Sequence, residues 1–345
     1  MIFKSLLHPK RLSIVIPHWN AKQHLPTVLN SLKLQTYANI EIIIADNAST
    51  DGSQEYIREY FPTVIIEQLA TNQGFTGACN AGMLIASGEF IALLNNDTEV
   101  DPHWAEEVVS AFERHPEAGF IASKMMLFDK RDHFHAAGDF YRVDGQPGNR
   151  GVWQKDIGQF DREEFVFSAC GGSSIYRRSM LEDVGLLDDD FFFSCEDLDL
   201  AWRAQLKGYQ CLYVPRAIVY HQLSATGGGI TASFHDGRNA IYLLIKDYPT
   251  VFWKRHWKAI FRNQWREIYA AIRAWRGAAA RATLRGKLAA LWHVPKMILK
   301  RRAIQRSRRV SITYLASILT PIQESPESST QAMTPPSAIT GEQRA

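Results

Sequence analysis

Cysteine is scarce in this chain. The four present, Cys79, Cys170, Cys195 and Cys211, lie far apart and form no CxxC pair. That excludes a disulfide framework or a thiolate zinc site as the organising device and suits a reducing compartment. Long apolar runs are also missing: none reaches the roughly 20 residues that cross a bilayer. The amino-terminal MIFKSLLHPKR has too short an apolar stretch for a signal peptide. Neither GxGxxG nor GxxxxGK(S/T) occurs, so dinucleotide oxidoreductases and P-loop enzymes lose their main support, and no internal repeat is visible.

Acidic residues are nearly absent from one stretch. Residues 251–310 hold 17 Lys and Arg against the single Glu267, a balance of +16 in a chain whose net charge is +3. An acidic body joined to so basic a segment calls for an anionic partner, either lipid headgroups or nucleic acid. With 46% hydrophobic residues the chain can still bury a sizeable core.

What is present is alternation. Short β-branched runs at Leu12–Pro17, Ile40–Ala45, Val64–Gln68 and Phe90–Leu94 are separated by helical stretches that end near Leu32, Tyr60 and Ala86. Strands alternating with helices at this spacing predict an α/β fold with a mostly parallel central sheet flanked by helices. Ligands in such sheets sit beyond the carboxyl ends of the strands. Two of those ends carry Asp46-Asn47 and Asn95-Asn96-Asp97. From about 120 to 165 the pattern dissolves into Gly-, Asp- and His-containing loops, and residues 311–345, rich in Ser, Thr, Pro and Gln, read as a disordered tail.

Four places along the chain have residue types fit for chemistry. Asp97 follows a buried strand, where an oxygen-seeking cation such as Mg²⁺ or Mn²⁺ would be held against phosphates; Asn95 to Thr98 equally suit a turn that caps the next helix. Glu196 and Asp197 open a helix, where the macrodipole favours ionised carboxylates and one of them could take a proton from a hydroxyl; helix capping explains them as well. His221 ends an apolar run and is a metal ligand or a structural histidine. Gly171-Gly172 permit close backbone approach to a ligand, or a tight turn.

The order of these segments says more than any one of them. Strand–PHWN, strand–ADNASTDGS, NQGFTGACNAG, FIALLNNDTEV, CGGSSIYRRS, FFFSCEDLDLAWR and VYHQ follow one another over about residues 12–250. The series resembles the motifs of family 2 glycosyltransferases, in particular the rhamnosyltransferase-like branch. The resemblance implies a GT-A fold and inverting, metal-dependent transfer of a sugar from a nucleoside diphosphate donor. It implies that Asp46 contacts the nucleotide base, that Pro17 and Asn20 line the nucleotide pocket, and that Asn72, Gly74, Phe75 and Asn80 border the donor. Asn95-Asn96-Asp97 stands where the family has DxD, with Asn95 replacing the first carboxylate; Asp97 and His221 would hold the cation. Asp197 takes the general-base position with Glu196 beside it, and Gly171 and Gly172 shape the acceptor cleft. The reading requires Asp97 and Asp197 to share one cleft.

In the basic segment, Trp253, Trp257, Phe261, Trp265, Ile268, Ile272 and Trp275 recur at helical spacing, with Arg255, Lys258, Arg262, Arg266, Arg273 and Arg276 on another face. Amphipathic helices of this kind lie in a bilayer surface or pack on a domain; the concentration of positive charge favours an anionic membrane over packing alone, and no nucleic-acid module is recognisable. The expected organisation is a catalytic domain over 1–250, a membrane-surface helical segment over 251–310 and the tail. The expected place is cytoplasmic, peripheral on the inner face of the cell membrane. The expected activity moves a sugar, rhamnose from dTDP-rhamnose being one choice, to a lipid-linked or polysaccharide acceptor. Alternatives are a sugar-nucleotide nucleotidyltransferase and a non-catalytic scaffold that binds nucleotide-sugar at the membrane.

Overall fold

The computed structural model describes residues 3–222 and 229–322. Its centre is a ten-stranded sheet built on the apolar runs read from the sequence. Strands β1 (His8–His18), β2 (Ile40–Asp46), β3 (Ile65–Gln68) and β4 (Gly88–Leu94) alternate with helices α1 (Leu25–Lys33), α2 (Ser53–Tyr60) and α3 (Gly74–Ile85). The first four strands pair in parallel in the order β4-β1-β2-β3. Both faces of β1 are buried, which is why it reads as a continuous apolar run. Leu12, Ile14 and Ile16 meet Val28, Leu29, Trp104 and Phe112 on one side, while Val15 meets Ala78, Cys79 and Met83 on the other.

The middle of the chain departs from expectation. After β5 (Thr98–Val100) and α4 (Trp104–Arg114), the segment read as loops holds most of β6 (Ala118–Leu127), then β7 (Phe134–Ala137), β8 (Asp139–Tyr141), β9 (Pro147–Asn149) and β10 (Glu164–Val166). Strand β6 is almost wholly buried, yet it includes Gly119, Ser123 and Lys124, which break an apolar pattern. Lys124 is admitted because Asp156 lies 2.5 Å from its ammonium. After β11 (Ser173–Arg177), α5 (Arg178–Val184) and α6 (Glu196–Lys207), the sheet is completed by β12 (Gln210–His221). The order β10-β12-β6-β11-β4-β1-β2-β3 places β11 antiparallel between β4 and β6. Strands β1 to β4, β6 and β12 run one way, so their carboxyl ends share an edge, and the Gly171-Gly172 turn that begins β11 lies at that same edge.

Helices α7 (Gly229–Lys246), α8 (Thr250–Arg273), α9 (Ala278–Trp292) and α10 (Val294–Arg306) follow. Gly286 lets α9 meet α7 closely: a Cβ there would lie 2.0 Å from the carbonyl oxygen of Phe234. Helix α10 is bound to the body by charge, with Lys300 2.6 Å from both Asp188 and Asp190. The expected disordered tail is corrected at its start. Residues 312–318 form α11 (Ile312–Ile318), where Leu315 is buried and the Tyr314 hydroxyl donates to Gln205 Oε1 at 2.6 Å. Residues 323–345 of that expectation lie outside the described residues.

The stripe of α8 splits. Trp253 turns inward and its Nε1 donates to the carbonyl of Leu244 at 2.8 Å, while Phe252, Ile260, Asn263 and Ala271 form the buried side. Trp257, Phe261, Trp265, Ile272 and Trp275 are exposed, Trp265 by 71%. Among the described residues no helix is long and apolar enough to cross a membrane.

Candidate active site

The carboxyl edge of the sheet opens into one cleft with two lobes. The larger, about 590 Å³, is walled by Pro17, His18 and Trp19 after β1, Asn47 after β2, Asn72, Gly74 and Phe75 at the start of α3, and Asn95, Asn96 and Asp97 after β4. The smaller, about 330 Å³, is walled by Gly171, Gly172, Glu196, Asp197, Asp139 and Asn149. Phe75, Asn95, His135, Cys170, Phe193, Ser194 and His221 line both, so Asp97 and Asp197 face two halves of a continuous space.

At the junction, His221 Nε2 lies 3.1 Å from Asp97 Oδ1. Two ligands at about 2.1 Å from an octahedral cation are themselves about 3 Å apart, so this pair has the bite of adjacent ligands. Among the described residues no group of three or more His, Cys, Asp and Glu gathers to hold a metal. A cation here would take its remaining oxygens from a diphosphate and water, which is the usual arrangement for Mg²⁺ and its relatives. The residues therefore fit a divalent ion.

Asp197 is fixed by two backbone donors: the N–H of Gly171 reaches Oδ2 and that of Leu198 reaches Oδ1, both at 2.7 Å. Burial pushes the carboxyl up, and these donors oppose the shift by favouring the anion. Glu196 is pushed up by burial and then by the charge of Asp197, and its Oε2 has no hydrogen-bond partner among the described residues. Glu196 is raised to about 8, and the two backbone donors on Asp197 favour the anion of that carboxyl. Asp139, across the small lobe, is raised by burial and by the Asp197 charge, and accepts from Asn149 Nδ2 at 2.9 Å.

Three residues expected at the donor are elsewhere. Asp46 is fully buried; its carboxylate accepts from Gln54 Nε2 at 2.6 Å and from the N–H of Ser49, so Asn47, one residue on, is what reaches the cleft. Asn20 holds the neighbouring turn, accepting from the N–H of Thr50 at 2.8 Å. Asn80 ties α3 to the 187–189 loop through the carbonyl of Leu187 and the carboxylate of Asp189. None of the three lines either lobe. Pro17, Asn72, Gly74, Phe75, Asn95, Asn96, Asp97, Gly171, Gly172, Glu196, Asp197 and His221 are all brought to the cleft.

Sequence reasoning passed over His18 and His135. His18 stands inside PHWN; Asn96 Nδ2 donates to its Nδ1 at 3.1 Å, and its Nε2 lies 2.7 Å from Ser53 Oγ. Its place in a quoted motif was signal enough. His135 had no such signal, because β7 was not recognised as a strand.

The model of glycosyl transferase family 2 matches residues 13–185, which include Pro17, Asn47, Asn72, Asn95 to Asp97 and Gly171-Gly172 of the cleft. The chain belongs to glycosyl transferase family 2. Among its relatives is an N-acetylglucosaminyl-diphospho-decaprenol L-rhamnosyltransferase of Mycobacterium tuberculosis, 25% identical over 320 residues that cover 86% of this chain and 95% of that protein. A solved structure of GalNAc-T7 with UDP, GalNAc and Mn²⁺ superposes at a TM-score of 0.56 and 16% identity, over 70% of this chain and 48% of that one. A mannosyltransferase from Pyrobaculum calidifontis with GDP-Man and Mn²⁺ gives 0.51 and 15%, over 89% and 83%. These structural likenesses establish the GT-A fold of this glycosyltransferase.

Proposed function

We propose that this glycosyltransferase acts in cell-surface glycan synthesis by inverting transfer from a nucleoside diphosphate sugar. The observation that carries this reading is the continuity of the cleft: Asp97 and His221 stand in one lobe, Asp197 in the other, with His221 lining both. A divalent ion held by Asp97 and His221 would offset the charge that develops on the departing diphosphate. Pro17, Asn47, Asn72 and Phe75 enclose the nucleotide side. Asp197, held by Gly171 and Leu198, takes the acceptor hydroxyl's proton as its oxygen attacks the anomeric carbon. The bond to the diphosphate breaks on the opposite face, and the carbon is inverted. Asp139 and Asn149 wall the acceptor side.

The rhamnosyltransferase relative supports a rhamnosyl donor, dTDP-rhamnose being one choice, and a lipid-linked acceptor, with Mg²⁺ and Mn²⁺ both suited to the oxygen-rich ligand set. The exposed aromatic stripe of α8, with Trp292 at 87% exposure beyond it, supports attachment to an anionic surface on the cytoplasmic side of the membrane.

Asp197→Asn tests the reading. Transfer should be lost while nucleotide-sugar still raises the melting temperature in the presence of Mn²⁺. Surviving transfer would overturn the base assignment, and loss of both would indicate a damaged cleft. A melting-temperature screen of nucleotide-sugars with Mg²⁺ or Mn²⁺ identifies the donor.

A further inference from the structure

Outside the cleft the body has a further cavity of about 450 Å³, walled by β8, β10, the carboxyl-terminal end of α6 and the docked segment 312–320. None of the motifs that carry the family likeness contributes to it. The docked segment is fixed in place: the N–H of Val143 donates to the Thr320 carbonyl at 3.0 Å, and that of Thr320 to the Tyr141 carbonyl at 2.9 Å. Gln205 is locked too, its Nε2 donating to the Phe167 carbonyl at 3.0 Å while its Oε1 accepts from Tyr314. The cavity is therefore preformed, and its volume falls among those of small-molecule sites, about 300–1,000 Å³. Asp139 lines both this cavity and the acceptor-side lobe, so the two adjoin at one carboxyl group.

The lining selects a ligand class. Among the described residues Arg150 is the single cation on the wall, and Glu164 and the carbonyl of Ala137 already engage it. With Asp139 and Glu164 also there, an anion such as a diphosphate is disfavoured. A hydrocarbon chain would strip water from amides, hydroxyls and carboxylates without replacing their hydrogen bonds. A neutral sugar meets both demands. Its hydroxyls suit Gln210 and Thr320, whose side chains have no hydrogen-bond partner among the described residues, and its C–H face suits the ring of Phe165, 46% exposed. We propose that this cavity is a carbohydrate subsite for a neutral sugar residue of the acceptor glycan, beyond the residue whose hydroxyl faces Asp197. The placement rests on the reading of the small lobe as the acceptor side. Gln205, Gln210 and the docked segment lie outside residues 13–185, so the subsite belongs to this chain's carboxyl-terminal elements. Holding the glycan at two linked places raises its affinity without touching the donor or the base.

Two substitutions at exposed positions test this in the full chain. Ser317→Trp fills the cavity from α11, and Phe165→Ala removes the stacking face; neither should lower the melting temperature. The probes are an array of neutral oligosaccharides built from N-acetylglucosamine, rhamnose, glucose, galactose and mannose. The unaltered chain should retain a subset of them, Ser317→Trp should weaken that retention at least about 10-fold, and Phe165→Ala about 3–10-fold. With a retained glycan as acceptor, its KM should rise in proportion while kcat and the donor KM stay within about 2-fold. Retention unchanged in Ser317→Trp, or no neutral glycan retained by the unaltered chain, overturns the proposal. A retained glycan that the variants use with unchanged KM, or that is never glycosylated although nucleotide-sugar binds, overturns its place on the acceptor path. Retention lost as expected, with no nucleotide-sugar raising the melting temperature of the unaltered chain, overturns the transferase reading and leaves the sugar subsite standing.

Discussion

Glu196 and Asp197 are adjacent in sequence and chemically alike, and the fold treats them differently. Asp197 receives two backbone N–H groups; Glu196 is closed in beside its charge. Glu196 thus holds its proton more tightly folded than unfolded. Its contribution to stability is complete below its ordinary value of 4.5 and is lost as pH rises through the elevated folded value. Melting temperature should therefore decline as pH is raised from the acidic range past neutrality, and Glu196→Gln should flatten that slope in thermal melts while keeping most of the transfer activity. Gly171 makes a second prediction. A Cβ there would sit 3.2 Å from Asp197 Oδ2 and 3.3 Å from Glu196 Oε1, against the proposed base. Gly171→Ala should lower kcat about 10–100-fold, with KM for the donor little changed in steady-state kinetics. Most of these residues were legible because their motifs are contiguous. Asp46 is set back from the cleft for a local reason: the strand continues through it, so its side chain is buried and the following Asn47 emerges into the cleft.

The segment that leads into α6 depends on a neighbouring element. Phe192, Ser194 and Cys195 all have positive φ, a region that costs a non-glycine residue about 1 kcal/mol or more. Helix α7 holds them there: Asn239 Nδ2 lies 3.0, 2.9 and 2.7 Å from the carbonyls of Phe191, Phe193 and Ser194, and Arg238 reaches those of Asp190 and Phe191. Removing the Asn239 amide takes the side-chain donor from the carbonyls of Phe193 and Ser194. Asn239→Ala should cost about 2–3 kcal/mol in denaturant unfolding and reduce transfer by misplacing Asp197. At this scale the parallel strands and their helices were legible, since an apolar run between turn residues needs only local pattern. Strand β6 was not, because the partner that admits Lys124 into it, Asp156, is supplied from a distant loop.

Over the whole molecule, the helical carboxyl-terminal segment is docked on the catalytic body and still presents its aromatic side outward. Lys296 and Lys300 pair with Asp190, and Lys300 with Asp188, in the loop that precedes α6. Trp257, Phe261, Trp265 and Trp275 remain exposed among many Arg and Lys. The chain should sediment with vesicles containing anionic lipid, more weakly as salt is raised. Trp257→Ala, Trp265→Ala and Trp275→Ala together should reduce that binding at least about 10-fold without lowering the melting temperature, since these rings support no core. The sequence by itself determined the alternation of strands and helices, the motif order that marks the family, and the helical spacing of the Trp stripe. All three are properties of neighbouring residues, where backbone periodicity and turn chemistry act. Tertiary structure alone decided that His135 meets His221, that Asp46 and Asn80 are held away from the cleft, that Leu315 is buried, and which side of α8 faces the body. Each of these depends on strand order and register between segments far apart in the chain, and local residue pattern does not encode which distant strands pair.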